Sequence, residues 1–244
     1  MAARHDGTLL ASRGALVTGA GRGIGAAIAR VFAAAGANVA LVSRSASELE
    51  TVTNDITRFG GVAHCIVGDL TEDAAGIADR ARQQLGRIDI LVNNAAAQIF
   101  APVLELGEEA FRESVELNLT VPFVLAKAVL PDMVRRREGW IVNIASDLAY
   151  RVRPGGGAYC STKRALVALT EVLQLEHRVD GIRVSVVLPG ITATSWDDKP
   201  PDDPSKADHL APEDVAETVL WCCTRPNGAR IDSIVVHPSV QDSV

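Results

Sequence analysis

Basic residues are in the minority: 24 Lys and Arg stand against 30 Asp and Glu, a formal net charge of -6. No general positive field is left to hold nucleic acid or an anionic membrane, so neither is an expected partner. Cysteine is scarce as well. The four present (Cys65, Cys160, Cys222, Cys223) are too few for a disulfide scaffold, and none forms a C-x-x-C pair or joins clustered histidines as a zinc site requires. A reducing cytoplasm is the expected compartment, with no metal. Long apolar runs are missing too, and the basic first sixteen residues make a poor signal segment because Arg13 interrupts their apolar stretch.

What is there, 48% apolar and 22% charged residues over 244 positions, suits one globular unit with a substantial core. Residues 1–12 read as a loose tail and 13–244 as a single domain. Seven short apolar runs have strand length and β-branched content: Ala15–Thr18, Val39–Val42, Val62–Val67, Ile88–Val92, Trp140–Ile144, Val184–Leu188 and Ile231–Val236. Between them lie helical patterns such as Gly25–Ala35, Ser47–Phe59 and Thr71–Leu85, with starts expected at Ser47 and Thr71. Strand and helix in alternation, with runs apolar on both faces, predict an α/β fold: a Rossmann-type, doubly wound parallel sheet of about seven strands. The compositional break at Ser195–Asp208 is too rich in Pro and Asp to pack, and reads either as a flap over a site, at about 195–210, or as a plain solvated connection.

The first strand runs straight into Thr18-Gly19-Ala20-Gly21-Arg22-Gly23-Ile24-Gly25 and an Ala-rich helix. Such a turn lets backbone N–H groups and the positive end of the helix dipole meet a pyrophosphate with no Cβ in the way. After the second strand come Ser43 and Arg44 where a carboxylate would receive the ribose hydroxyls of NAD(H). With Arg22 they favour the 2'-phosphate of NADP(H), unless both arginines are only surface cations.

Tyr159 and Lys163 stand four residues apart at the start of a helix and project from one face. Such spacing permits a direct pair in which the ammonium lowers the phenol's pKa toward the working pH, as proton exchange with an alcohol or carbonyl oxygen requires. With two tyrosines and four lysines in the chain, a shuffled sequence holds Tyr-x-x-x-Lys only about 3% of the time. Ser146 closes the fifth strand on the carboxyl edge, where its hydroxyl can polarise a carbonyl.

These features resemble the short-chain dehydrogenase/reductase family, and within it NADP-preferring 3-oxoacyl reductases. The glycine spacing is the family's TGxxxGxG, and Ser146 precedes Tyr-x-x-x-Lys by the family's thirteen residues. The resemblance implies further roles. Asp69, followed by Leu70, would hold the adenine amino group, or simply cap the helix that follows. Asn93-Asn94-Ala95-Ala96 corresponds to the family's NNAG beside the nicotinamide ribose, with Ala96 in place of glycine. Asn118 would interrupt a long helix and hold a water feeding Lys163, which itself would bond the nicotinamide ribose. Pro189-Gly190-Ile191-Thr192-Ala193-Thr194 resembles PGxxxT, which binds the carboxamide.

The expected activity is hydride transfer between NADP(H) and a carbonyl or secondary alcohol, with Asn118, Ser146, Tyr159 and Lys163 as the catalytic set. Alternatives are an NADP(H)-binding redox-sensing regulator without turnover and an NAD-linked alcohol or sugar dehydrogenase. Arg151 and Arg153 can receive an acidic substrate group and Trp196 can cover an apolar one. Apolar helices around Val121–Val134 and Ala165–Val179 imply a homodimer or homotetramer. The tail, Cys222-Cys223 and the five histidines show no spacing tied to chemistry.

Overall fold

A computed structural model describes residues 9–195, 199–226 and 229–240. Each of the seven runs forms a strand: β1 (Gly14–Thr18), β2 (Asn38–Ser43), β3 (Val62–Val67), β4 (Ile90–Asn93), β5 (Gly139–Ile144), β6 (Ile182–Pro189) and β7 (Ser233–Val236). All pair in parallel, in the order β3-β2-β1-β4-β5-β6-β7. Between them run α1 (Gly23–Ala34), α2 (Ala46–Arg58), α3 (Leu70–Leu85), α4 (Glu108–Val115), α5 (Val121–Arg136), α6 (Gly157–His177) and α7 (Pro212–Cys223).

Alternate residues of each central strand feed opposite faces. Val17, Leu41 and Val92 pack with Ile28 and Phe32 of α1, Leu49 of α2 and Val219 of α7. Leu16, Val42 and Leu91 pack on the other side with Ile77 of α3 and Leu125 and Met133 of α5. Each such fully buried side chain contributes about 1.5–3 kcal/mol relative to exposure. Because the chain winds outward from β1 in one direction and from β4 in the other, the two strands part their loops at their carboxyl ends and open a crevice there.

Four local expectations are corrected. Helix α2 is capped by Ser45, not Ser47, whereas α3 is capped by Asp69, one of the two roles read for it; in each case the capping oxygen lies one residue ahead of the first helical turn and accepts a backbone N–H. Leu10 is buried and donates its N–H to the Ala35 carbonyl at 2.8 Å, so the packed body begins ahead of residue 13. Glu108–Arg136 is one continuous helical run, long and apolar enough to cross a membrane by length and composition. Here its apolar side packs on the sheet and α3 through Val121, Leu125, Val129 and Met133. Finally, the acidic, proline-rich stretch does pack in part. Lys206, in a short 3-10 turn (Pro204–Lys206), is buried and its Nζ donates to the carbonyls of Thr194 at 2.6 Å and Lys199 at 2.9 Å.

Candidate active site

The crevice between β1 and β4 is held by one hydroxyl. Thr18 Oγ1 donates to the Val92 carbonyl at 3.2 Å and accepts the N–H groups of Asn94 and Ala95 at 2.9 and 3.0 Å. Asn94 Nδ2 returns to the Thr18 carbonyl at 2.9 Å. The glycine turn is folded tightly against this frame. Gly19 has φ of +63°, and a Cβ on Gly25 would stand 2.2 Å from the Gly19 carbonyl oxygen, so neither position accepts a side chain without rebuilding the turn. Ile24 packs against the α1 face of the core, and Gly23 passes close to Thr194, where a Cβ would meet the threonine methyl at 3.2 Å. Arg22 is the N-cap of α1 yet offers no side-chain cap, and the first turn carries no acid, so the leading N–H groups of the helix remain available to an anion.

Around the rim, Arg44 is 77% exposed and lies 3.8 Å from Asp69 Oδ2. Asp69 accepts from the N–H and hydroxyl of Thr71 at 2.9 and 2.7 Å, bonds that hold its carboxyl below the usual range, and Leu70 behind it is buried. Both readings of Asp69 remain compatible, since one oxygen suffices for the cap. At the far end of the crevice Gly190 donates to the Val236 carbonyl at 2.7 Å, which anchors the turn after Pro189. Thr192 Oγ1 donates to the Gly190 carbonyl at 3.0 Å, and Thr194 is buried.

The reacting set converges beyond β5. Ser146 caps the short turn Asp147–Ala149, accepting the Leu148 N–H at 3.2 Å. Tyr159 and Lys163 enter from α6. Lys163 is buried and its Nζ donates to the Ile144 carbonyl at 2.8 Å; desolvation pulls its pKa down to about 7. The same Nζ lies over the Tyr159 ring, 5.7 Å from its centre, so the two side chains share one face of α6 while the lysine's hydrogen bond goes to the strand. Burial pushes the Tyr159 phenol up to about 12, opposed by a hydrogen bond with Ser146 and reinforced by the Asp147 charge. Asn118 sits in a π-helical turn (Glu116–Thr120) that breaks the run between α4 and α5. Fully buried, it exchanges bonds with the Ala97 backbone at 2.7 and 2.9 Å and donates to Thr162 Oγ1 at 3.1 Å, which ties the NNAA loop to α6 beside Lys163.

The sequence pattern of the short chain dehydrogenase family matches residues 13–204. An oxidoreductase of Staphylococcus aureus whose activity is uncharacterised is 31% identical over 238 residues, which is 95% of this chain and 99% of that protein. The chain belongs to the short chain dehydrogenase family. Among solved structures, the alcohol dehydrogenase of the archaeon Thermococcus sibiricus, complexed with 5-hydroxy-NADP, superimposes with a TM-score of 0.88 at 31% identity, over 95% of this chain and 99% of that one. A 7α-hydroxysteroid dehydrogenase complexed with NADH and a 7-oxo bile acid has a TM-score of 0.88 at 28% identity, over 96% and 97% of the two chains. The protein is thus a pyridine-nucleotide-dependent oxidoreductase of this family.

Several residues that matter to the dehydrogenase site escaped sequence reasoning. Glu48 lies beside the glycine turn: a Cβ on Gly21 would be 2.7 Å from its Oε2 and 3.0 Å from Ser43 Oγ, and its Oε1 is 4.0 Å from Arg22 Nε. Its place has a local cause. Ser45 and Glu48 form the first half of a capping box, with the Glu48 N–H donating to Ser45 Oγ at 3.3 Å. The Ser45 N–H, however, donates to Ser43 Oγ at 3.0 Å, which leaves the Glu48 carboxylate to turn toward the rim. The S-x-x-E pattern was the available signal. Phe100 lies against Tyr159 with ring centres 5.3 Å apart and planes tilted by 43°, and the Arg153 guanidinium lies 4.1 Å from the Phe100 ring centre. Arg151 Nη1 lies 3.9 Å from Asp147 Oδ2. Arg153 thus lies against the Phe100 ring and Arg151 beside Asp147. Trp196 lies outside the described residues.

Proposed function

We propose that this oxidoreductase transfers hydride between NADP(H) and a carbonyl or secondary alcohol, with Tyr159 as proton donor and acceptor. One observation carries the reading: the Ser146 and Tyr159 hydroxyls and the buried Lys163, from two separate elements, lie together at the carboxyl end of β5. The chain fits a nicotinamide dinucleotide, because the uncapped start of α1 and the side-chain-free turn before it form a cradle that any Cβ would fill. Gly19, Gly21, Gly23 and Gly25 would take the pyrophosphate, Ser43, Arg44 and Arg22 the 2'-phosphate, Asp69 the adenine, and Asn94, Ala95, Lys163, Pro189, Gly190, Thr192 and Thr194 the nicotinamide half. When bound, that group supplies or accepts the hydride. The side chains then handle the oxygen: Ser146 orients it, Tyr159 gives or takes its proton, and Lys163 with Asn118 connects the phenol to solvent.

A second reading, use of NAD(H), is favoured by the Glu48 carboxylate at the ribose rim and by the 7α-hydroxysteroid dehydrogenase having been solved with NADH. The unpaired cysteines support a reducing compartment, and exposed Phe123, Val172 and Leu175 on α5 and α6 support a homodimer or homotetramer. A panel of ketones and alcohols with both cofactors tests the main reading. Tyr159→Phe should lose turnover by at least about 1,000-fold while retaining NADPH binding. Unchanged turnover in that variant would remove the assignment.

A further inference from the structure

Of the three residues between Tyr159 and Lys163, Cys160 and Thr162 are buried and Ser161 is exposed. Thr162, 3% exposed, has its hydroxyl engaged on both sides. Oγ1 donates to the carbonyls of Ala158 and Tyr159, each at 3.0 Å, and accepts from Asn118 Nδ2 at 3.1 Å. The helix dictates this arrangement. One residue before Lys163, Thr162 leaves α6 about 100° around the axis from the lysine, and its branched Cβ together with the bond back to the preceding turn restricts χ1. A hydroxyl has one proton, and here it stays inside α6. What Thr162 offers a partner outside the helix is therefore an acceptor, and the Asn118 amide supplies the donor.

Asn118 makes three bonds that lead to two places. Its Oδ1 accepts the Ala97 N–H at 2.7 Å and its Nδ2 donates to the Ala97 carbonyl at 2.9 Å, a reciprocal pair that fastens the π turn Glu116–Thr120 to the loop after β4. The third bond, to Thr162, is among the described residues the one hydrogen bond between that turn and α6. It is buried at both ends. Without Oγ1, an Asn118 N–H would be left away from water with no acceptor, a state that side chains leave by moving.

We propose that Thr162 is a positioning residue whose hydroxyl holds Asn118, and with it the π turn, against the turn of α6 that carries Tyr159 and Lys163. This rests on the role given to Asn118 above, which is to connect the phenol to solvent together with Lys163. Thr162 touches neither substrate nor nucleotide in that role and moves no proton. It sets the spacing between an asparagine from one helical run and a tyrosine and lysine from another. The glycine turn that would take the pyrophosphate lies outside this linkage, so nucleotide affinity is independent of it.

Thr162→Val removes the acceptor and keeps the shape, whereas Thr162→Ser keeps the acceptor and removes the methyl. With a ketone substrate, Thr162→Val should lower kcat at least about tenfold, and Thr162→Ser should recover most of that loss. The NADPH dissociation constant, from fluorescence titration, should stay within about twofold of wild type in both. Added to Asn118→Ala, Thr162→Val should lower kcat by less than about twofold more, because both changes remove the same link. A further measurement needs no turnover. In 15N-labelled full-length protein, the Asn118 side-chain amide, assigned by its loss in Asn118→Asp, should exchange with D2O at least about tenfold faster in Thr162→Val than in wild type or Thr162→Ser. Thr162→Ala repeats each arm if Thr162→Val does not fold. Full kcat or unchanged exchange in the folded variant, a joint loss of kcat and NADPH affinity, or an undiminished effect in the Asn118→Ala background would overturn the proposal. A wild type inactive on every ketone and alcohol, with the expected change in exchange, would instead strike the hydride-transfer reading and leave the tie between Thr162 and Asn118 standing.

Discussion

At the scale of single residues, the site is governed by which charges are taken out of water. Lys163 has a folded pKa of about 7, against about 10.4 in an unfolded chain, so between these values the unfolded form binds more protons. Stability of the cofactor-free protein should therefore rise with pH across that window. Lys163→Met should flatten the rise and raise the melting temperature at pH 7, while abolishing turnover; thermal melts at pH 7, 8 and 9 check it. An equally steep rise in the variant would place the proton uptake elsewhere. Glu48 makes a different prediction. Its carboxylate lies where a 2'-phosphate would add negative charge, so Glu48→Gln should tighten NADPH binding by about three- to tenfold and leave NADH binding little changed. Fluorescence titration with both nucleotides measures this directly, and equal changes for the two would disconnect Glu48 from the ribose rim.

Among the elements, termini carry the information. The N-cap of α2 is Ser45, and removing its oxygen in Ser45→Ala should cost about 1 kcal/mol, roughly 2–4 °C in melting temperature for a chain of this size. Ser47→Ala should stay within about 0.5 kcal/mol, because Ser47 lies inside the helix. Equal losses in the two would restore the cap to Ser47. The helix starts were misread because several polar residues in a row, Ser43, Ser45 and Ser47, all have cap chemistry, and only backbone geometry chooses among them. The strands were legible for the opposite reason. Central strands buried on both faces are apolar along their length, so β1, β2 and β6 stand out from their polar flanks without any tertiary knowledge.

For the whole molecule, one unclaimed surface is conspicuous. A groove between α5 and α6, lined by Phe123, Leu130, Val134 and Leu173, faces outward, and Phe123 is 48% exposed. Apolar patches of this kind are usually covered by another chain. Phe123→Asp should lower the mass found by light scattering to that of a smaller assembly, without changing the monomer's helical content by circular dichroism. An unchanged mass would assign the contact to another face.

The order of the motifs along the chain was enough to read the parallel sheet and the glycine turn, because strand periodicity and a turn that excludes Cβ atoms are local properties. Tertiary structure alone decided the electrostatics. Spacing of four residues put Tyr159 and Lys163 on one face, yet the hydrogen bond of the lysine goes to the Ile144 carbonyl of β5, nineteen residues away, at 2.8 Å. Likewise His237 and Asp147, ninety residues apart, meet only because β5 and β7 flank β6. A charge's surroundings depend on every element that packs around it, and no window along the chain contains them all.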